Sequence, residues 1–406
     1  MGNAQHAVES VARASYGRML AYLSSETRDV AGAEDALGEA LLAALDTWPR
    51  DGVPQQPEAW LLTAARHRVI DQARRVRVRS DHQDTIRRLT EGITSPPDVA
   101  GSFPDRRVEL LFVCAHPAID SSLHSALMLQ TVLGLDAARI AHAFLVPPAT
   151  MGQRLVRAKR KIREAGIPFQ VPEAHELPAR LDSVLEGVYA AYGISLDEAA
   201  GADPRGRDLA DEAIWLSRVV RSRMPEEPEV RGLLALMLFS EARRGARRAA
   251  GGTYVPLSEQ DPASWSVDLL REAERELAAA AGLGRVGRFQ LEAAIQSVHA
   301  ERARSGRTDW DAIVLFYEHL VRIAPTLGAR VAQAAAVSEA RGAAAALMLL
   351  DALDRGVVAA YQPYWAVRAH LLRQLGQMDA ATAAYDRAIG LTEDPAIRQF
   401  LLERRG

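Results

Sequence analysis

Between Arg154 and Arg163 the stretch RLVRAKRKIR carries six cations, Arg154, Arg157, Lys159, Arg160, Lys161 and Arg163, before the first carboxylate at Glu164. Arginine can bond a guanine edge bidentately, and the amide of Gln153 can pair with adenine. The remaining cations suit phosphates. The same composition also describes a solvated helix face, so the stretch alone leaves two readings open. A second set lies upstream, where Thr63, His67, Arg68, Arg74 and Arg75 stand beside Trp60, opposite an expected buried stripe of Leu61, Ala65 and Val69. A cationic face with an aromatic at its edge suits a strand whose bases stack or splay; equally, Trp60 could be core and the arginines solubilising. The third set is acidic: Glu34, Asp35 and Glu39 are expected outward within AEDALGEALLAALDTW, with Leu37, Leu41 and Leu45 inward. DNA repels such a helix, so its expected partner is a basic protein surface.

Nothing comparable points to catalysis. Ser, His and Asp residues occur without a nucleophile elbow, and His116 and His124 do not share metal-ligand spacing with Cys or Asp. GLGRVG (282–287) fits the dinucleotide fingerprint literally, but a helical stretch, REAERELAAAA, precedes it where a strand is required. No catalytic residue, metal, cofactor or small-molecule substrate is expected, and the chain reads as a non-enzyme. ARRGARRAAGGTYVPL (242–257) sets four arginines beside a Gly-rich loop, either a solvated turn or a contact loop.

These side chains need helices to present them. At 406 residues, 48% hydrophobic and 25% charged, the chain exceeds what one core usually serves. Its net charge of −3 means any nucleic-acid affinity comes from local concentration of Lys and Arg. The single cysteine, Cys114, excludes an intrachain disulfide framework, and no apolar run approaches a membrane span; the expected location is cytoplasmic. Helical periodicity runs through almost every segment, which predicts an all-α fold. Helices are expected over 8–49 and 58–79, separated by PRDGVPQQP. TSPPDVAGSFP (94–104) reads as a linker, 106–166 as a second compact unit, and GIPFQVPEAHELP (166–178) as the next boundary.

In the second unit Asp136 is expected to cap a short helix whose inner face is Ile140, Ala141 and Phe144. LVPP turns the chain, with Pro148 in the first turn of the next helix. There Met151, Leu155, Ala158 and Ile162 form one apolar stripe, opposite Gln153, Arg157 and Arg160. This is the helix-turn-helix arrangement. In the tail, Gly306, Gly342 and Gly376 recur at close to tetratricopeptide length, and Ala312, Ala346 and Ala381 follow in step. The clearest unit lies within 361–395, matching at Trp365, Ala369, Leu372, Gly376, Ala381, Tyr385 and Ala388.

AEDALGEALLAALDTW, AWLLTAARHRVIDQARR and ARIAHAFLVPPATMGQRLVRAKRKI resemble regions 2.1–2.2, 2.3–2.4 and 4.2 of extracytoplasmic-function (ECF) sigma factors. LLFVCAHPAIDSSLHSALMLQTVLGLD and GRFQLEAAIQSVHAE resemble the subgroup with a long C-terminal tetratricopeptide-like extension. The pattern departs at Leu145 and Gly152. The resemblance implies region 2 over 1–79, a linker over 80–105 threading toward the polymerase channel, region 4 over 106–166 and a helical extension over 179–406. It implies core RNA polymerase as partner, through the β′ clamp and the β flap, with Glu34, Asp35 and Glu39 on the clamp. It further implies that Trp60, Thr63, His67, Arg68, Arg74 and Arg75 hold the −10 strand. Thr150, Gln153, Arg154, Arg157, Arg160 and Lys161 would then read the −35 duplex, and the extension would regulate or support activity in cis. The alternative is a helix-turn-helix transcription regulator with a repeat-based sensor domain, acting without core polymerase. The acidic helix argues against it.

Overall fold

The computed structural model describes residues 3–77, 103–144, 146–173, 175–198, 204–249 and 251–406. Helices dominate throughout. Among the described residues the sole strand-like pairing is an isolated bridge between Arg248 and Tyr254, and no helix is long and apolar enough to cross a membrane. Two compact units emerge, residues 1–197 with 205–216, and residues 198–204 with 217–406.

The first unit begins with α1 (Asn3–Thr27), α2 (Val30–Asp51) and α3 (Pro57–Arg77). The single helix expected over 8–49 is therefore two. Arg28 adopts φ +55, outside helical geometry, while Asp29 is extended and leads into α2. The expected loop is also shorter than PRDGVPQQP, because α2 continues through Pro49 to Asp51. Proline lacks the N–H that would bond one turn back, but the helix survives the loss so close to its end. Gly52 then stops it at φ +88, with its N–H on the Trp48 carbonyl. Leu20, Leu23, Leu37, Ala40, Trp48, Leu61 and Ala65 form the core of this bundle. Arg18 and Ser15 of α1 both bond the Glu58 carboxylate, which ties down the first turn of α3.

Next come α4 (Arg107–Cys114), α5 (His124–Thr131), α6 (Ala137–Ala143) and α7 (Pro148–Glu164). α4 is buried along its whole length. Cys114 lies inside, its thiol pushed up to about 12 by burial. Residues 166–173 leave helical geometry, and α8 (Leu177–Glu198) then folds back on this group. Arg180 donates to the Phe112 carbonyl at 2.6 Å, and the His124 imidazole meets the Ser183 hydroxyl at 3.0 Å. Gly187 lies against Met128 so closely that a Cβ would collide with its sulfur. In α9 (Pro204–Arg223), Glu212 pairs with Arg107, whose guanidinium also lies 4.1 Å from the Trp215 ring centre.

The second unit contains α10 (Pro228–Ala242), α11 (Val267–Gly282), α12 (Arg288–Ser305), α13 (Trp310–Ile323), α14 (Leu327–Arg341) and α15 (Ala343–Asp351). One short turn, α16 (Arg355–Val358), then leads to α17 (Gln362–Gln374), α18 (Met378–Leu391) and α19 (Pro395–Arg405). From α10 to α15, and from α17 to α19, consecutive helices pack as neighbours. Gly306, Gly342 and Gly376 each take a positive φ where α12, α14 and α17 end, which explains their regular recurrence. Ala369, Leu372, Ala381, Tyr385, Ala388 and Leu401 make one small core. GLGRVG sits where α11 stops, with Gly284 at φ +71, so it is a helix-ending turn. The arginine-rich loop is not a freely solvated one: Arg244 pairs with Glu241 at 2.6 Å and Arg248 with Asp394, while Arg243 is buried against Gln296.

Candidate nucleic-acid interface

α6 and α7 follow the sequence reading closely. The Asp136 carboxylate accepts from the Arg139 N–H at 2.8 Å and caps α6. Ile140 and Ala141 face inward and Phe144 is half-buried. α7 starts with Pro148 in its first turn, and Met151, Leu155, Ala158 and Ile162 are all buried. A helix seated on one stripe must display the opposite side. Gln153, Arg154, Arg157, Arg160 and Lys161 are accordingly exposed, and Thr150 is half-exposed at the N-terminal end. Arg160 reaches Glu164 at 3.6 Å on the exposed surface, a weak tie. Gly152 has open space around its Cα, so its cost is only the helix propensity of glycine, about 1 kcal/mol. Leu145 lies outside the described residues.

Lys159 is the exception among the six cations. It is only 6% exposed and forms an ion pair with Glu34 of α2. Its position explains this, because Lys159 is four residues after Leu155 and three before Ile162, on the stripe itself. Sequence reasoning missed this inward role, although the spacing carried the signal. Arg163, at the end of the helix, reaches Asp29 at 3.2 Å.

On α3 the candidate residues converge on an open cleft of about 640 Å³ lined by Pro54, Gln55, Gln56, Ala59, Trp60, Thr63, Ala64 and His67. Leu61 and Ala65 point into the core as expected, with Val69 half-buried, so Thr63, His67 and Arg68 face outward. Trp60 does both jobs at once. Its ring packs edge-on against buried Trp48, centroids 5.6 Å apart, and it also lines the cleft. Arg68 is paired with Glu39 at 3.4 Å between two exposed side chains. Arg74 and Arg75 belong to α3, but their side chains lie outside the described residues, as does 80–102 of the expected linker. Arg66, not singled out in the sequence, is buried and clamps Glu26 at 2.5 and 3.0 Å and the Tyr22 hydroxyl at 2.6 Å.

α2 departs from expectation on two points. Asp35 and Glu39 are exposed, but Glu34 is half-buried and engaged by Lys159. Leu37 is buried and Leu41 half-buried, whereas Leu45 is 39% exposed rather than inward-facing, next to Leu42 at 64%. Core space beneath the second half of α2 is filled by Trp48 and the small Ala40 and Ala44, which rotates Leu45 toward solvent. Asp35, Glu39, Leu42, Leu45 and Asp46 thus share one exposed acidic and apolar face.

Comparison with known proteins agrees with this geometry. Residues 11–79 match the family model for Sigma-70 region 2, which is the α1–α3 bundle. The ECF RNA polymerase sigma factor SigC of Mycobacterium tuberculosis is 32% identical over 158 residues, 39% of this chain and 80% of that protein. The chain belongs to the ECF RNA polymerase sigma factors. A probable RNA polymerase sigma-C factor of Mycobacterium bovis matches this sigma factor over the same extent. Residues 180–281 match a family of unknown function (DUF6596), so this sigma factor carries an additional C-terminal domain. An uncharacterised protein of Rhizobium meliloti is 36% identical over 394 residues, 95% of this chain and 91% of that one, and so parallels the sigma factor with its extension included. No solved structure matches.

Proposed function

We propose that this sigma factor binds core RNA polymerase and directs initiation at specific promoters, reading the −35 element as duplex with α7 and the −10 element as an opened strand with α3. The observation that carries this reading is the pairing, in one chain, of two differently built basic faces with an acidic one. α7 is a helix projecting Gln153, Arg154, Arg157, Arg160 and Lys161, with the dimensions and donors suited to a major groove. α3 offers instead a concave site floored by an aromatic, with Thr63 and His67 on its wall. An extruded base can stack there on Trp60, and such stacking contributes about 1–3 kcal/mol per base. Arg68, Arg74 and Arg75 occupy the same helix and would hold the strand's phosphates.

The face of Asp35, Glu39, Leu42, Leu45 and Asp46 on α2 suits a basic, amphipathic surface of the polymerase clamp. Glu34 joins it only when released from Lys159. The β flap would take the other side of the region around α7. For the C-terminal helices the reading is support and regulation in cis, because α8 completes the core around α4 and α5. Tetratricopeptide-like helix pairs in the second unit would supply a surface for whatever signal acts there.

Co-purification with core polymerase tests the reading. Wild-type chain is expected to co-elute with core, and the Asp35→Arg, Glu39→Arg variant to lose most of that association while remaining helical. Tight binding to promoter DNA without any association with core would contradict the reading and favour an independent regulator.

A further inference from the structure

Among its exposed residues α7 carries a valine that neither folding nor charge accounts for. The buried stripe of Met151, Leu155, Ala158 and Ile162 is complete without Val156, which is 62% exposed. Valine also suits an exposed helical position poorly. Its branched Cβ restricts χ1 against the preceding turn, and alanine or a long unbranched side chain forms helix better. A single exposed aliphatic is ordinary on a protein surface; what distinguishes Val156 is its company. Gln153 stands three residues before it and Arg160 four after, so the three share one face of the helix. Arg157 is its chain neighbour, and all four side chains are exposed. Val156 is the large apolar side chain exposed on α7, set in the middle of that helix's hydrogen-bond donors.

In a major groove those donors meet the acceptors on base edges, and one group displayed there is apolar, the C5 methyl of thymine. No hydrogen bond can read it. The methyl projects from the base edge into the groove, toward a side chain too short to reach the edge itself. A valine flanked by longer Gln and Arg side chains is complementary to that shape. Contact between the two removes apolar surface from water on both sides.

We propose that Val156 is a specificity-determining residue of the −35 contact: it packs on the C5 methyl of one thymine and makes this sigma factor prefer a T·A pair at that position. The proposal rests on the promoter reading above and deepens it by one base pair. The contact adds neither a hydrogen bond nor a charge. Its loss therefore changes discrimination at a single base pair and leaves the salt dependence of binding, which the cations set, as it was.

The test uses holoenzyme assembled from core polymerase and the full-length chain, and a DNA library randomised across the −35 and −10 regions. Wild-type holoenzyme is expected to enrich a −35 sequence with a fixed thymine on one strand. Val156→Ala holoenzyme should lose the preference at that one position and keep the others. Replacing that thymine by uracil removes only the C5 methyl. It should weaken wild-type binding about fourfold, the effect of one buried methyl, and leave Val156→Ala binding unchanged. Val156→Ile should remain sensitive to the methyl. Because the side chain is exposed, Val156→Ala is expected to melt like the wild type. Uracil tried at each enriched thymine without weakening the wild type, or a penalty equally large in Val156→Ala, overturns the contact. So does a Val156→Ala chain that assembles less readily with core, which would set the side chain against polymerase instead of DNA. A holoenzyme that enriches no −35 sequence at all overturns the promoter reading, and the thymine contact with it.

Discussion

Arg157 is central on the exposed face of α7, two turns into the helix, and makes no ion pair among the described residues. If it reads a base edge, Arg157→Ala should cost about 1–3 kcal/mol of promoter affinity and relax discrimination at one −35 position. Binding measured on a panel of single-base −35 variants checks this, because a phosphate contact would weaken all sequences alike. Trp60→Ala should weaken capture of a pre-melted −10 duplex by on the order of tenfold, with Trp60→Phe recovering most of it. Fluorescence of a base analogue in the melted strand gives the readout. Arg66→Met should lower stability by about 3 kcal/mol, measured by denaturant unfolding, since Glu26 and Tyr22 lose their buried partner. The outward residues of α7 were legible because a clear apolar stripe leaves only one way to face. Lys159 and Glu34 were not, because an inward charge is recognised only through its partner on a different helix, 125 residues away. Leu45 was misjudged for a related reason: its orientation depends on how much volume Trp48 takes in the core.

At the scale of elements, α8 changes what the C-terminal extension means. The proline-containing stretch 166–178 reads as a boundary, and sequence periodicity has no way to show that the next helix returns to the same core. Leu181, Val184, Leu185 and Val188 of α8 are buried, and Arg180 caps the end of α4 through the Phe112 carbonyl. A chain ending near residue 170 should therefore expose the α4–α5 core and lose protease resistance from residue 103 onward. A chain ending at Arg223, which keeps α8 and α9, should retain it. Limited proteolysis followed by mass spectrometry distinguishes the two. Loss of transcription in the shorter chain would then reflect a damaged α4–α7 group, so a regulatory role for the second unit is read only from the longer one. The helix break at Arg28 escaped sequence reading because SSETRDVAG contains neither Pro nor a glycine at the break itself.

For the whole molecule, the all-α class was evident from periodicity. The closure of region 2 on the α4–α7 group depends on surfaces far apart in the chain and was not. The second unit carries its own acid sensitivity. His299 packs edge-on against Trp310, and burial together with Arg243 and Arg302 pushes it down to about 4. The fold holds the neutral ring while the unfolded chain titrates near 6.5, so the unfolded state binds more protons between these values. Stability should be full above about pH 6.5 and fall as pH drops toward 4, with His299→Gln flattening that slope in pH-dependent thermal melts. The central claim is initiation, and run-off transcription tests it most directly. Core polymerase, the full-length chain and DNA carrying one of its promoters should yield a transcript with a single defined 5′ end, absent when either protein is omitted. A transcript that forms equally without the chain, or none on any DNA fragment it selects together with core, would contradict the account.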